Sequence, residues 1–263
     1  QIDAVMHFAA SSQVGESVLQ PEKYYSNNFF KTQVLLNIMR QHQVINIVFS
    51  STAAVYGSPE QALINEQHPV TPINPYGRSK LAVEWLLQDY ASAYGIKAVC
   101  LRYFNAAGAA IDASNGERHD PETHLIPLVL QALSGRRQGI KIFGTDYATP
   151  DGTCIRDYVH ILDLAQAHLL ALNWLLIQPS CIYRAFNLGN GAGFSVRQVI
   201  VTAEEITGQH LNEEASARRV GDPAILVASA EQAKQVLGWQ PQYTQLQEII
   251  THAWAWEQKL SGL

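Results

Sequence analysis

The chain has 263 residues, 47% hydrophobic and 16% charged, a balance that supports a sizeable buried core and excludes a disordered chain. Lys and Arg number 18 against 23 Asp and Glu, a net charge of −5 that leaves no basic surplus for a nucleic-acid backbone. Cys100, Cys154 and Cys181 are far apart and form no CxxC pair, which points to a reduced, cytoplasmic setting. No apolar run is long enough to span a membrane.

The first half alternates strand and helix signals. A short apolar strand is expected over 4–9, then a helix over 21–42 with Val34, Leu35, Ile38 and Met39 at helical spacing. A β-branched run over 45–50 suits a strand buried on both faces. A second helix is expected over 75–94 and another strand over 96–103. This β-α-β-α-β order predicts an α/β fold with a doubly wound parallel sheet, with ligands at the carboxyl ends of its strands. After residue 107 the rhythm loosens into a smaller α+β portion. Residues 108–122 read as loop, with helices expected over 125–135, 163–176, 195–207, 230–237 and 246–260, and short strands over 141–143 and 185–188.

The sharpest chemical signal is Tyr76-Gly-Arg-Ser-Lys80. A tyrosine and a lysine four apart share a helix face, and a nearby ammonium lowers a phenol's pKa, which makes a general acid/base. Alone, this spacing also fits an amphipathic surface pair. A second signal lies upstream: the strand over 45–50 empties into Ser50, Ser51 and Thr52, hydroxyls poised at a sheet's ligand edge, although serines and threonines end many strands. A Gly189-Asn-Gly-Ala-Gly193 stretch follows a strand but lies too late in the chain for a dinucleotide cradle. No His/Cys/Asp/Glu spacing marks a metal site.

Together, Phe49-Ser-Ser-Thr-Ala-Ala-Val-Tyr-Gly57, Asn74-Pro-Tyr-Gly-Arg-Ser-Lys80 and Leu101-Arg-Tyr-Phe-Asn105 closely resemble the extended short-chain dehydrogenase/reductase family, and within it the UDP-hexose 4-epimerase branch. Further matches run in the family's order across the chain: His7-Phe-Ala-Ala10, Tyr24-Tyr-Ser-Asn-Asn28, Arg156-Asp-Tyr-Val-His160 and Arg218-Arg-Val-Gly-Asp222. The resemblance implies NAD-dependent inversion at C4 of a UDP-hexose through a 4-keto intermediate. It also implies a dinucleotide-binding portion over 1–107, with return segments around 155–190, and a mainly UDP-sugar-binding portion over 108–263.

Site roles follow from the resemblance residue by residue. Tyr76, Lys80 and Thr52 are the implied catalytic residues. NAD would contact Phe8, Ala9, Ala10, Asn27, Ser50, Tyr76, Lys80 and Tyr103. The UDP-sugar would contact Thr52, Tyr76, Asn105, His124, Leu125, Phe143, Arg156, Arg219 and Asp222. Bland roles stay open for Arg156, as an ion pair with Asp157, and for His124, as a helix-start residue. The family's dehydratases and decarboxylases place an acid just after the Thr/Ser, where this chain has Ala53 and Ala54; that favours plain epimerisation.

The family's opening strand, glycine-rich turn and helix have no counterpart here. About 60–70 residues, the size of such a unit, are expected to precede Gln1. Two alternatives stand beside the main reading: another UDP-sugar (a pentose, uronate or N-acetylhexosamine), or a non-catalytic fragment. By analogy with the family, a homodimer is expected.

Overall fold

The computed structural model describes residues 2–59, 61, 63–219 and 222–262. Strands Ala4–His7, Asn46–Ser50, Lys97–Tyr103 and Tyr183–Leu188 lie side by side in that order, all parallel. Asn46–Ser50 is buried along its whole length, as a β-branched run with helices on both faces should be. The strand period of two divides the core. Ile47, Phe49, Ala98 and Cys100 meet Leu36, Met39, Val83 and Leu87 on one face. Val48, Val99 and Leu101 meet Leu164, Ala167, Ala171 and Leu175 of the helix Ile161–Leu176 on the other.

The helix Pro75–Tyr94 has the bounds its sequence predicts, because both ends carry stop signals. Asn74 Oδ1 accepts the Gly77 amide at 2.8 Å, Pro75 opens the first turn, and Gly95 closes the last one in the left-handed region at φ 73°. The helical run from Pro21 to Gln41 is broken by a π turn at Tyr25–Phe30. There the buried Asn28 accepts the Ser11 amide at 2.8 Å and donates to Ser11 O and Ser79 Oγ at 3.0 and 3.1 Å. The loop after the first strand is thereby tied to the helix that carries Tyr76.

A second core gathers Leu125–Leu133, Val196–Thr207 and Leu246–Ser261 around Ile126, Val129, Val199 and Ile249. Ser195 closes a reciprocal capping box with Gln198. The element expected over 230–237 contains a π turn at Ala233–Leu237. Several short strands escape the sequence reading, among them two late ones. Glu213–Ser216 is polar and mostly exposed, and pairs with Ile140–Phe143. Ile225–Ala228 sits between Ile155–Arg156 and Leu63–Ile64. Both depend on partners at least 69 residues away in the chain, which local pattern does not reveal. Among the described residues no helix is long and apolar enough to cross a membrane.

His160 joins the two cores and carries a pH dependence. Its Nδ1 accepts the Leu162 amide at 3.1 Å, so the proton sits on Nε2 and is directed at His252 Nδ1, 3.0 Å away. Burial, reinforced by His252, lowers its pKa to about 4. The folded value lies below the unfolded one, so His160 contributes stability above pH 6.5 that is lost as pH falls towards 4. Melting temperature should therefore drop across that window. His160→Asn, which keeps a cap acceptor without a titrating ring, should have a flatter profile than the parent; identical profiles would show that His160 is not responsible.

Candidate active site

The carboxyl ends of the second and third sheet strands bring the leading candidates together. Thr52 follows Asn46–Ser50 in extended conformation, and its Oγ1 accepts the Ala54 amide at 3.1 Å, capping the short turn Ala53–Tyr56. That turn touches the start of the next helix. A Cβ on Gly77 would sit 2.5 Å from the Ala54 carbonyl oxygen, so only glycine permits the approach that sets Tyr76 beside Thr52. The half-buried Tyr76 ring packs edge-on against the buried Tyr24, centroids 6.3 Å apart. Tyr24 is itself held by hydrogen bonds from its hydroxyl to Gln13 O and Glu16 Oε2 at 2.6 and 2.9 Å.

The electrostatics correct one expectation. Burial pushes the Tyr76 phenol up to about 12; Thr52 pulls it down and Tyr103 raises it further. Lys80 is not what moves it. Lys80 is only 4% exposed, and its ammonium donates to the Ser50 carbonyl at 2.8 Å and lies 4.8 Å from the centre of the Phe49 ring. Burial lowers Lys80 itself to about 8, with Cys100 and Glu84 opposing. The lysine thus fastens the strand end beneath the tyrosine instead of acidifying it in this state. Ser50 Oγ is hydrogen-bonded to the Tyr103 hydroxyl, which brings those two residues to the same edge.

A second grouping forms where the short strands meet. Arg156 pairs with Asp222 and also donates to Ile155 O at 2.7 Å, so the ion pair considered with Asp157 does not form. The Arg219 guanidinium lies 4.1 Å from the Phe143 ring centroid. The Asp222 amide donates to Arg219 O at 3.2 Å. Two guanidinium groups, a carboxylate and an aromatic face thus converge, a set suited to a diphosphate, a ribose and a base.

The other candidates are scattered. Phe8, 55% exposed, stacks on His168 with centroids 4.6 Å apart, just past the first strand; Ala9 and Ala10 follow it. Asn27 donates to Ser11 Oγ and accepts from Lys31 at 3.3 and 3.0 Å. Asn105 Nδ2 donates to Asp157 O at 2.7 Å. Leu125 opens a helix and packs on the second core. His124 turns its ring to Glu117 and its amide to Glu122 Oε1, and Glu117 holds the imidazole above its ordinary pKa.

Asp157 explains the late glycine-rich stretch. Its buried carboxylate accepts the amides of Asn190, Gly191 and Ala228 at 2.8, 3.2 and 3.1 Å. A Cβ on Gly189 would lie 2.5 Å from Asp157 Oδ2. Gly189 serves this close approach.

Sequence reading missed two kinds of residue. Asn28 and Ser79 lie inside quoted motifs, yet their bracing contact needs two distant segments to meet. The other is a grouping the sequence reading did not single out: Glu117, His119, Glu122 and His124 converge, with one ligand atom from each all within 4.8 Å of one another. Their irregular spacing in a loop hides the grouping.

Comparison with known proteins adds the following. The family profile described as GDP-mannose 4,6 dehydratase matches residues 1–252. A UDP-glucose 4-epimerase of Halalkalibacterium halodurans is 52% identical over 258 residues, covering 98% of this chain and 77% of that protein. The crystal structure of UDP-glucose 4-epimerase from Brucella ovis in complex with NAD superposes with a TM-score of 0.93 at 49% identity, over 96% of this chain and 77% of that one. The enzyme from Bifidobacterium longum in complex with NAD+ and UDP gives 0.92 at 38%, over 100% and 78%.

Proposed function

Because the chain belongs to the GDP-mannose 4,6 dehydratase family of extended short-chain dehydrogenases/reductases, and within it to the UDP-glucose 4-epimerases, we propose that it interconverts UDP-glucose and UDP-galactose through a 4-keto sugar, with NAD as its cofactor. The observation that carries this reading is the placement of Tyr76 against Thr52 at the carboxyl edge of a parallel sheet, with Lys80 buried beneath.

The residues present fit the nicotinamide-ribose end of NAD. Among the described residues, the one hydrogen bond from the Lys80 ammonium goes to Ser50 O, so two of its three donors remain for ribose hydroxyls. Phe8, Ala9, Ala10, Asn27, Ser50 and Tyr103 would line the same cofactor. When bound, NAD supplies a hydride acceptor and donor at C4 of the sugar and a positively charged ring beside the phenol.

Tyr76 then takes the proton of the C4 hydroxyl and later returns it, while the Thr52 hydroxyl orients that oxygen. A positive charge near the phenol would offset the burial that holds it near 12. Arg156, Arg219, Asp222 and Phe143 would anchor the UDP portion, with Asn105, His124 and Leu125 along its path. A firm nucleotide anchor leaves the sugar free to present either face. Ala53 and Ala54 put no carboxylate beside Thr52, which supports simple inversion over dehydration.

Purified protein supplied with NAD and UDP-galactose should yield UDP-glucose, followed by proton NMR of the anomeric signals. UDP-xylose, UDP-glucuronate and UDP-N-acetylglucosamine, tested in parallel, report sugar preference. Absence of conversion of every UDP-sugar, from folded and NAD-supplied protein, would refute the proposal.

A further inference from the structure

We propose that Glu117, His119, Glu122 and His124 form a divalent metal site, suited to Zn2+, that pins the 108–122 loop to the start of the helix Leu125–Leu133. The argument begins with charge. Among the described residues, the only ionic partners of Glu117 are His119 and His124, and that of Glu122 is His119. The Glu122 side chain is 4% exposed and the Glu117 side chain 17%. Neither of these largely buried carboxylates has a Lys or Arg partner; the two imidazoles are their only counter-charge, a role that a bound divalent cation would take over.

The geometry suits that source. His119 Nδ1 lies 3.0 Å from Glu117 Oε1 and 3.7 Å from Glu122 Oε2, and His124 Nδ1 contacts the same Glu117 oxygen. The two imidazoles stand edge to face, centroids 5.3 Å apart. Bonds of about 2.0–2.2 Å place tetrahedral ligand atoms roughly 3.3–3.6 Å apart, so four donors already within 4.8 Å need only small side-chain adjustments. Two imidazole nitrogens and two carboxylate oxygens are a borderline donor set that Zn2+ accepts.

The surroundings hold the ligands. Glu122 Oε1 accepts the Thr123 and His124 amides at 2.7 and 2.9 Å, which leaves Oε2 turned to His119. Trp256 Nε1 donates to Glu117 O at 2.8 Å, and its ring fills the space a Cβ on Gly116 would need. Outer contacts of this kind fix ligand orientation. Glu117, His119 and Glu122 also line a cavity of about 320 Å³ that reaches Arg136 and Glu257 and includes none of Thr52, Tyr76 or Lys80. The site therefore lies apart from Thr52, Tyr76 and Lys80, shares only His124 with the proposed UDP path, and serves to fasten a loop.

Zn2+ titrated into metal-stripped protein against a chromophoric chelator should show one tight equivalent per chain. His119→Ala and Glu122→Gln should each weaken it at least tenfold; the glutamine keeps the Oε1 acceptor, so the loop retains its amide contacts. His210→Ala, at a histidine whose side chain is 97% exposed, should leave binding unchanged. Zn2+ should also slow tryptic cleavage after Arg118, which is exposed and sits between two ligands. Circular dichroism in EDTA checks that each variant is folded. Substoichiometric binding by the parent, equal affinity in His119→Ala and Glu122→Gln, or no effect on cleavage at Arg118 would each overturn the site. None of these readouts depends on epimerase activity.

Discussion

Tyr76→Phe should lower turnover of UDP-galactose by about 10²–10⁴-fold, the usual contribution of a positioned acid/base, with UDP affinity and melting temperature little changed. The ring is held by packing, edge-on to Tyr24, and phenylalanine retains that contact. The UDP-anchoring candidates Phe143, Arg156, Arg219 and Asp222 belong to other elements. Only the proton-transferring oxygen is lost. Steady-state kinetics with a calorimetric titration of UDP separates the two effects: a fall in kcat at constant UDP affinity supports the assignment. Turnover within a few-fold of the parent would remove Tyr76 from the chemistry. Its pH profile carries further information. Burial holds the phenol up, to about 12, when only protein surrounds it, and a positive charge bound nearby would lower it.

Removing one partner of the buried Glu84–Arg102 pair should destabilise the fold by about 3–5 kcal/mol, as for other buried pairs left with one uncompensated charge. Glu84 is 1% exposed and accepts from Arg102 Nε at 3.0 Å, from Tyr183 OH at 3.0 Å and from Ser51 Oγ. Arg102 also donates to Tyr56 OH at 2.9 Å, and Tyr56 OH donates to Asn187 Oδ1 at 2.7 Å. One network thus joins the helix of Tyr76, two adjacent strands of the sheet and the residue before Thr52. Arg102→Met leaves an unpaired anion, and Glu84→Leu an unpaired cation. The double variant, with no buried charge, should recover much of the loss. Urea unfolding with unchanged m-values measures each cost. A loss below about 1 kcal/mol in both single variants would show that the network is not a main brace.

What could be read from residues alone was whatever short-range physics decides. The helix Pro75–Tyr94 is bounded by a cap, a proline and a left-handed glycine that are all local. The strand Asn46–Ser50 declares its burial through the apolar centre Ile47-Val48-Phe49. The hydroxyls after it and the tyrosine at the next helix start were visible as motifs, and their meeting follows from a parallel sheet with a close-packed Gly77.

Only the folded chain decided the rest, because those interactions join segments far apart in sequence. Lys80 gives its ammonium to Ser50 O, 30 residues away in the chain. Arg156 finds Asp222 and not its neighbour Asp157, which is occupied by three backbone amides. Strands such as Glu213–Ser216 have too little apolar alternation to show themselves and exist through their pairing partner. The four ligands at 117–124 are near in sequence, yet their convergence depends on a loop shape fixed partly by Trp256 from the last helix. Local propensity chose the elements; desolvation and long-range pairing chose which charged groups face one another.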